Sequence, residues 1–330
     1  MASKKSEVND NDRPKWQTDE RIDPRQFPIL QILETVQQKK NSNGNNLAIT
    51  YEQMVRDANS EKNLPLLKQL EQVMMAPQPH MSSLAPIDGL VRSEGTFASQ
   101  PDGNLVRYCF FRPKQTAVRP TVYYIHGGGM ATGSCFYANY QAWARLIAHR
   151  GVNVFLVDFR NSLTPGIIGS EHSSGQVSPY PGGLNDCVSG LKFLHANHEK
   201  FFTNPAKILV AGESGGGNLA IATAIRLKNQ CKYFASGIYA LCPYILGAYP
   251  SEKYPSTVTN NHIFLHLDPT SSVSYGSEEA IEKQDPCAWP MFANKKDIEN
   301  FPPIFISINE CDPLRDEGLA FYRKVMKTVL

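Results

Sequence analysis

Lys207-Ile208-Leu209-Val210-Ala211-Gly212-Glu213-Ser214-Gly215-Gly216-Gly217-Asn218-Leu219-Ala220 is the stretch on which the fold turns. It opens on a short apolar run, 208–211, which reads as a strand buried on both faces. It passes through Gly212-Glu213-Ser214-Gly215-Gly216, a G-x-S-x-G pattern, and continues into a helical pattern over 218–228. A serine on such a strand-to-helix turn is lifted above the sheet edge. Small flanking residues are required there, because a side chain would collide with the neighbouring strand and helix. The helix that follows points its N-terminal dipole at the serine, which favours developing negative charge. The bare pattern occurs by chance in glycine-rich turns; the strand before it and the helix after it make it specific. Ser214 is therefore the candidate nucleophile.

Further runs of β-forming residues lie at 105–111, 121–125, 152–157, 237–241 and 304–308, separated by helix-length segments at 137–149 and 184–196. This alternation implies right-handed βαβ units: an α/β fold with a mostly parallel central sheet and helices on both faces. Residues 1–20 are polar and charged and are expected to be disordered. Residues 21–87 hold three helical patterns, namely the cluster Phe27, Ile29, Leu30, Ile32 and Leu33, then 51–58, then 64–75. They precede any strand of the sheet and are expected to form a helical cap. Residues 88–330 form the expected catalytic domain. Within it, about 245–300 is too long for a plain connection and reads as a helical lid insertion.

Composition narrows the function classes. The 330 residues are 42% hydrophobic and 19% charged with a formal net charge of +2, which fits a globular protein with a core and no strong field toward nucleic acid. Lysine and arginine are scattered, with no basic–aromatic platform for nucleic acid. No run approaches the ~20 apolar residues of a membrane span, and the polar N-terminus lacks the apolar core of a secretory signal. The seven cysteines, Cys109, Cys135, Cys187, Cys231, Cys242, Cys287 and Cys311, are widely spread without a C-x-x-C pair. They are expected to be reduced thiols of a cytoplasmic protein. His195 and His198 lie three apart on a helical pattern without a nearby third ligand, so a solvated face is expected and no metal site. Gly215, Gly217 and Ala220 loosely match a dinucleotide fingerprint, but the next strand ends at Leu241-Cys242-Pro243-Tyr244 without the acid such a site needs. No cofactor is expected.

Two more motifs join the serine. His126-Gly127-Gly128-Gly129-Met130 closes the 121–125 strand, and a glycine run there exposes backbone N–H groups. Gly128 and Gly129, with the N–H of Gly215, would form an oxyanion hole. His126 is expected to be structural. Glu310-Cys311-Asp312-Pro313-Leu314-Arg315-Asp316 follows the 304–308 run, where a triad carboxylate belongs. Asp312 is the choice for that acid; Glu310 and Asp316 are the alternatives, and Asp316 could instead cap the next helix.

H-G-G-G, then G-E-S-G-G-G-N, then D-P-L-R-D-E-G, in that order, resembles the hormone-sensitive-lipase-like family of α/β-hydrolases. Asp158-Phe159-Arg160-Asn161 and Pro179-Tyr180-Pro181-Gly182-Gly183-Leu184-Asn185-Asp186-Cys187 look most like its brefeldin A esterase-like carboxylesterases. The resemblance covers about residues 88–330. It implies an α/β-hydrolase that cleaves small carboxylic esters through an acyl-enzyme, with Ser214 as nucleophile and Asp312 as acid, and with no cofactor. One local departure stands out: many members carry Y-R-L-A-P-E where this chain reads Phe159-Arg160-Asn161-Ser162-Leu163-Thr164.

The larger departure is the base. In this fold the order is serine, acid, histidine, yet His80, His126, His149, His172, His195, His198, His262 and His266 all precede Asp312. The last strand and helix of the fold, with the catalytic histidine, are expected to be missing. A bare serine hydroxyl is a poor nucleophile near neutral pH, so the chain as given is expected to be a weak or inert esterase, or a small-molecule-binding pseudo-hydrolase. His262 and His266, in the lid segment, are the remote candidates for a substitute base.

Overall fold

The computed structural model describes residues 13–28, 30, 31, 34, 49–77, 79–229 and 235–329. Seven strands form one sheet: β1 Leu90–Ala98, β2 Leu105–Pro113, β3 Arg119–Ile125, β4 Asn153–Asp158, β5 Thr203–Glu213, β6 Gly237–Leu241 and β7 Ile304–Ser307. Their spatial order is β1-β2-β4-β3-β5-β6-β7. β1 and β2 run antiparallel to their neighbours, and every pairing from β4 to β7 is parallel. The six longer or functionally placed helices are α1 Tyr51–Ala58, α2 Leu64–Met75, α3 Ala138–Ala148, α4 Gly182–Ala196, α5 Gly215–Asn229 and α6 Arg315–Val329.

Side chains alternate across the strands and build a core on each face. Tyr123, Ile125, Phe155 and Val157 point to one side, where Leu184 and Leu191 of α4 and Leu219 and Ile221 of α5 cover them. Val122, Tyr124, Val154 and Leu156 point to the other, under Tyr140, Ala144 and Ala148 of α3. Every residue of β4 is buried, as expected for a strand covered on both faces. The Tyr123 hydroxyl, fully buried, donates to Cys187 O at 2.8 Å and satisfies itself on α4.

The strand absent from the sequence reading is β1. Its burial pattern is half exposed and Gly95 interrupts it, so no apolar run announces an edge strand of this kind. A short helix at Pro79–Leu84 was likewise unexpected. The expected disorder of 1–20 needs correction over its second half: Lys15–Thr18 forms a helical turn and Trp16 is buried. One apolar indole in a polar segment is enough to dock it, here against Ile22, Leu30 and Ile263. Residues 1–12, and Ile29, Ile32 and Leu33 of the first helical pattern, lie outside the described residues.

Between β6 and β7 the chain forms short helical turns at Ser256–Thr259, Ser271–Ser274, Glu278–Glu282, Pro290–Phe292 and Lys295–Ile298. The six described cysteines are free thiols, and Cys231 lies outside the described residues. Among the described residues no helix is long and apolar enough to cross a membrane. No group of three or more potential metal ligands is found among them either.

Candidate active site

The parallel strands put their C-terminal ends on one edge of the sheet, and the sequence motifs leave from those ends. β5 ends at Glu213, and Ser214 follows with φ +53°, a left-handed conformation that a side-chain-bearing residue adopts only when its surroundings impose it. Those surroundings are visible. Ser214 N donates to Leu241 O at the end of β6 (2.8 Å), and Ser214 O accepts Asn218 N and Tyr244 N, both at 3.1 Å. One strand further, Cys242 N donates to Ser307 O at the end of β7 (2.8 Å). The three strand ends are thereby stitched side by side. Asn218, in the first turn of α5 and fully buried, donates from Nδ2 to Tyr244 O (2.9 Å) and Ala288 O (3.0 Å), tying the elbow to the insertion.

The glycine loop after β3 packs directly onto the elbow. A Cβ placed on Gly215 would lie 2.5 Å from Met130 N and 2.8 Å from Gly129 N, distances that no carbon tolerates. Gly215 is therefore glycine because the two loops bring their amides together there. Gly128 turns with φ +110°, its carbonyl accepting Ala131 N and Thr132 N at 3.0 Å each. The geometry brings Gly129 and Gly215 together and adds the Met130 amide, which the sequence reading had not assigned. His126 is fully buried, its ring stacked on Phe159 at 4.2 Å with Nδ1 2.8 Å from Gly127 O. Burial holds its pKa below the ordinary histidine value. It is a loop support, as expected.

The three candidate acids separate clearly. Glu310 is exposed and pairs with Arg315. Asp316 accepts Ser256 N (2.8 Å) and pairs with Arg315 at 3.0 Å, which holds its pKa down against the burial that raises it. Asp312 is buried, accepts Leu314 N on Oδ1 at 2.9 Å, and lies within hydrogen-bond reach of the Cys242 thiol, one residue past the Leu241 carbonyl that anchors Ser214. Burial pushes the Asp312 carboxyl up and the Cys242 thiol up to about 12. Of the three, Asp312 is the one set beside the elbow without a cationic partner.

A family profile described as the alpha/beta hydrolase fold matches residues 122–329. The chain belongs to the α/β-hydrolase fold family. The hydrolase is similar over most of its length to the solved esterase Est22 with p-nitrophenol, at 42% identity and TM-score 0.85, covering 96% of this chain and 88% of that one. It is also similar to brefeldin A esterase, a bacterial homologue of human hormone sensitive lipase, at 27% identity and TM-score 0.76 over 97% of this chain and 86% of that one. Those neighbours bear out the hormone-sensitive-lipase-like carboxylesterase resemblance. Among curated relatives, versiconal hemiacetal acetate esterase of Dothistroma septosporum is 27% identical over 234 residues, 68% of this chain and 67% of its own length. The chain spans 62% and 60% of the lengths of two further curated relatives.

Several polar residues around the hydrolase's site escaped the sequence reading. Glu213, the variable position of the elbow, accepts the Tyr140 hydroxyl at 2.9 Å, and that hydroxyl in turn accepts Gly127 N at 3.0 Å. One carboxylate thus links the elbow to the glycine loop through α3. Glu317 is fully buried; its Oε1 accepts Ile245 N (2.6 Å) and the Tyr249 hydroxyl (2.9 Å), while Oε2 has no partner. Desolvation pushes its pKa up to about 8 in spite of those donors. Of the histidines, His149 bonds to Pro86 O, His198 to His195 O, and His262 and His266 to each other through Nδ1 at 3.0 Å. None of these bonds reaches Ser214 or Asp312.

Proposed function

We propose that this chain carries the acyl-transfer site of a small-molecule carboxylesterase. Ser214 attacks the ester carbonyl, the Gly128, Gly129 and Gly215 amides hold the oxyanion, and Asp312 is the acid that would orient a histidine base. The supporting observation is the packing of Gly215 against the Gly129 and Met130 amides beside a left-handed Ser214. Backbone N–H groups gathered beside a nucleophile are what an oxyanion hole requires, and one such donor is worth about 3 kcal/mol in the transition state. The similarity to esterases among relatives and solved neighbours supports the substrate class. Residues 21–87 and the 245–300 insertion serve as cap and lid, and the protein works in the cytoplasm.

The base decides how much activity the 330 residues have by themselves. With the hydrogen bonds of His149, His198, His262 and His266 directed elsewhere, none of these four is set against Ser214, and without a base Ser214 attacks slowly. Oxyanion stabilisation and binding then supply what catalysis remains. The same observation supports a second reading, a pocket that binds small esters without turning them over. Reaction of the purified chain with a fluorophosphonate probe, followed by peptide mapping and a p-nitrophenyl acetate assay, separates the two. Labelling at Ser214 with turnover lost in Ser214→Ala establishes the esterase. A folded chain that binds ester analogues and never labels establishes the binder.

A further inference from the structure

The loop after β4 is where the sequence leaves the Y-R-L-A-P-E pattern, and Ser162 stands where that pattern has alanine. Ser162 is buried, and each of its polar groups serves a different part of the molecule. Its N–H donates to the carbonyl of Met130, at the end of the glycine loop, at 3.0 Å. Its carbonyl accepts the hydroxyl of Tyr51, the first residue of α1, at 2.6 Å. Its hydroxyl lies 2.7 Å from Ser274 O in the insertion and 3.2 Å from Met130 O. A hydroxyl has one proton to give, so the shorter contact takes it.

The next residues repeat the pattern. Leu163 N and Thr164 N donate to Ala131 O at 3.1 and 3.0 Å, and Leu163 O accepts Asn59 Nδ2 at 2.8 Å. One side of this loop therefore lines the carbonyls of Met130 and Ala131, and the other is held by α1 and the 271–274 turn. Met130 sits at φ +61°, a conformation its side chain disfavours, so its peptide orientation has to be held from outside.

We propose that Ser162 is the junction through which the N-terminal helix and the insertion set the geometry of the oxyanion loop. The proposal rests on reading residues 128–130 as that loop. Ser162 is then a positioning residue. Seating of α1 and the 271–274 turn is transmitted to Met130 through the bonds of Ser162.

Hydrogen exchange of the full chain, read by mass spectrometry, tests the junction without needing turnover. Alanine is what the pattern carries at this position, so Ser162→Ala fits the space. It is expected to speed exchange about three- to tenfold in both 271–276 and 128–133, the effect of losing one net hydrogen bond, with α5 unchanged. Tyr51→Phe is expected to speed 128–133 as well, although its own hydrogen bond ends at residue 162. Both variants should also slow fluorophosphonate labelling of Ser214. An effect of Tyr51→Phe confined to 51–59 and 162–164, or of Ser162→Ala confined to 271–276, overturns the junction. A wild-type chain that forms no Ser214 adduct counts against the esterase reading instead, and the exchange result still decides the junction.

Discussion

Gly215 illustrates how single atoms set the site. Its missing Cβ is the gap through which the elbow and the glycine loop touch. Gly215→Ala must therefore push the Gly129 and Met130 amides away, at a cost of about 1–3 kcal/mol from overpacking. Labelling of Ser214 should fall further than the modest drop in denaturant midpoint accounts for; unchanged labelling would remove Gly215 from the proposed oxyanion hole. Glu317 gives a second residue-scale prediction. Its folded pKa of about 8 lies above the ordinary 4.5, so the native state holds a proton that the unfolded chain releases. The stability this contributes is complete below pH 4.5 and is lost as pH rises through about 8. Glu317→Gln keeps the acceptor for Ile245 N and Tyr249 while abolishing the titration. Urea unfolding at pH 6 and pH 9 should show the wild type losing about 3 kcal/mol more than the variant; parallel pH profiles would contradict it. The strand–turn–helix around Ser214 and the place of Asp312 after a strand were legible because their signals are local: a strand, a turn and the residues beside them. Glu213 and Glu317 were not, since Tyr140 and Ile245, the groups that give them meaning, stand 73 and 72 residues away.

Elements were legible to the extent that their own sequence carries a period. Helices α1 and α2 coincide with the expected 51–58 and 64–75, and β6 with 237–241. β1 failed because an edge strand with one exposed face and an internal glycine needs its partner β2 to define it. The connections were legible only as resemblance. Asp186 of α4 accepts Arg160 N (2.9 Å), Nε (3.0 Å) and Nη2 (3.0 Å) from the loop after β4, with both side chains buried. Asp102 takes a further contact from the same guanidinium at 2.8 Å. This pair holds α4 against the loop that carries Ser162. Asp186→Ala would leave a buried guanidinium and a buried backbone N–H short of their main acceptor, a loss of about 3–5 kcal/mol. Chemical denaturation measures it directly. A change under about 1 kcal/mol, the scale of an exposed ion pair, would mean that water replaces the carboxylate.

At the scale of the molecule, unpaired backbone and exposed apolar surface govern association. β7 pairs only with β6 among the described residues, so its other edge presents backbone N–H and C=O groups. Phe305 on β7 is 66% exposed, and Tyr322 and Met326 of α6, a helix in contact with β7, are 48% and 39% exposed. An open strand edge flanked by apolar side chains is a template for pairing with another chain. A second apolar surface competes with it: Leu66, Leu70 and Val73 are exposed at helical spacing on α2. That stripe offers side chains alone, since a helix satisfies its own backbone, whereas the β7 edge adds hydrogen bonds to apolar contact. The edge should therefore dominate association. Sedimentation of the purified chain is expected to show concentration-dependent self-association, reduced strongly by Phe305→Lys and weakly by Val73→Lys. Lysine suits the test because its stem can still lie against Tyr239, which Phe305 now meets edge-on at 5.2 Å, while its charge opposes pairing. Equal effects of the two substitutions would place the contact on apolar area in general, and a wild-type chain that stays monomeric at high concentration would show that the short β7 edge is not a template at all.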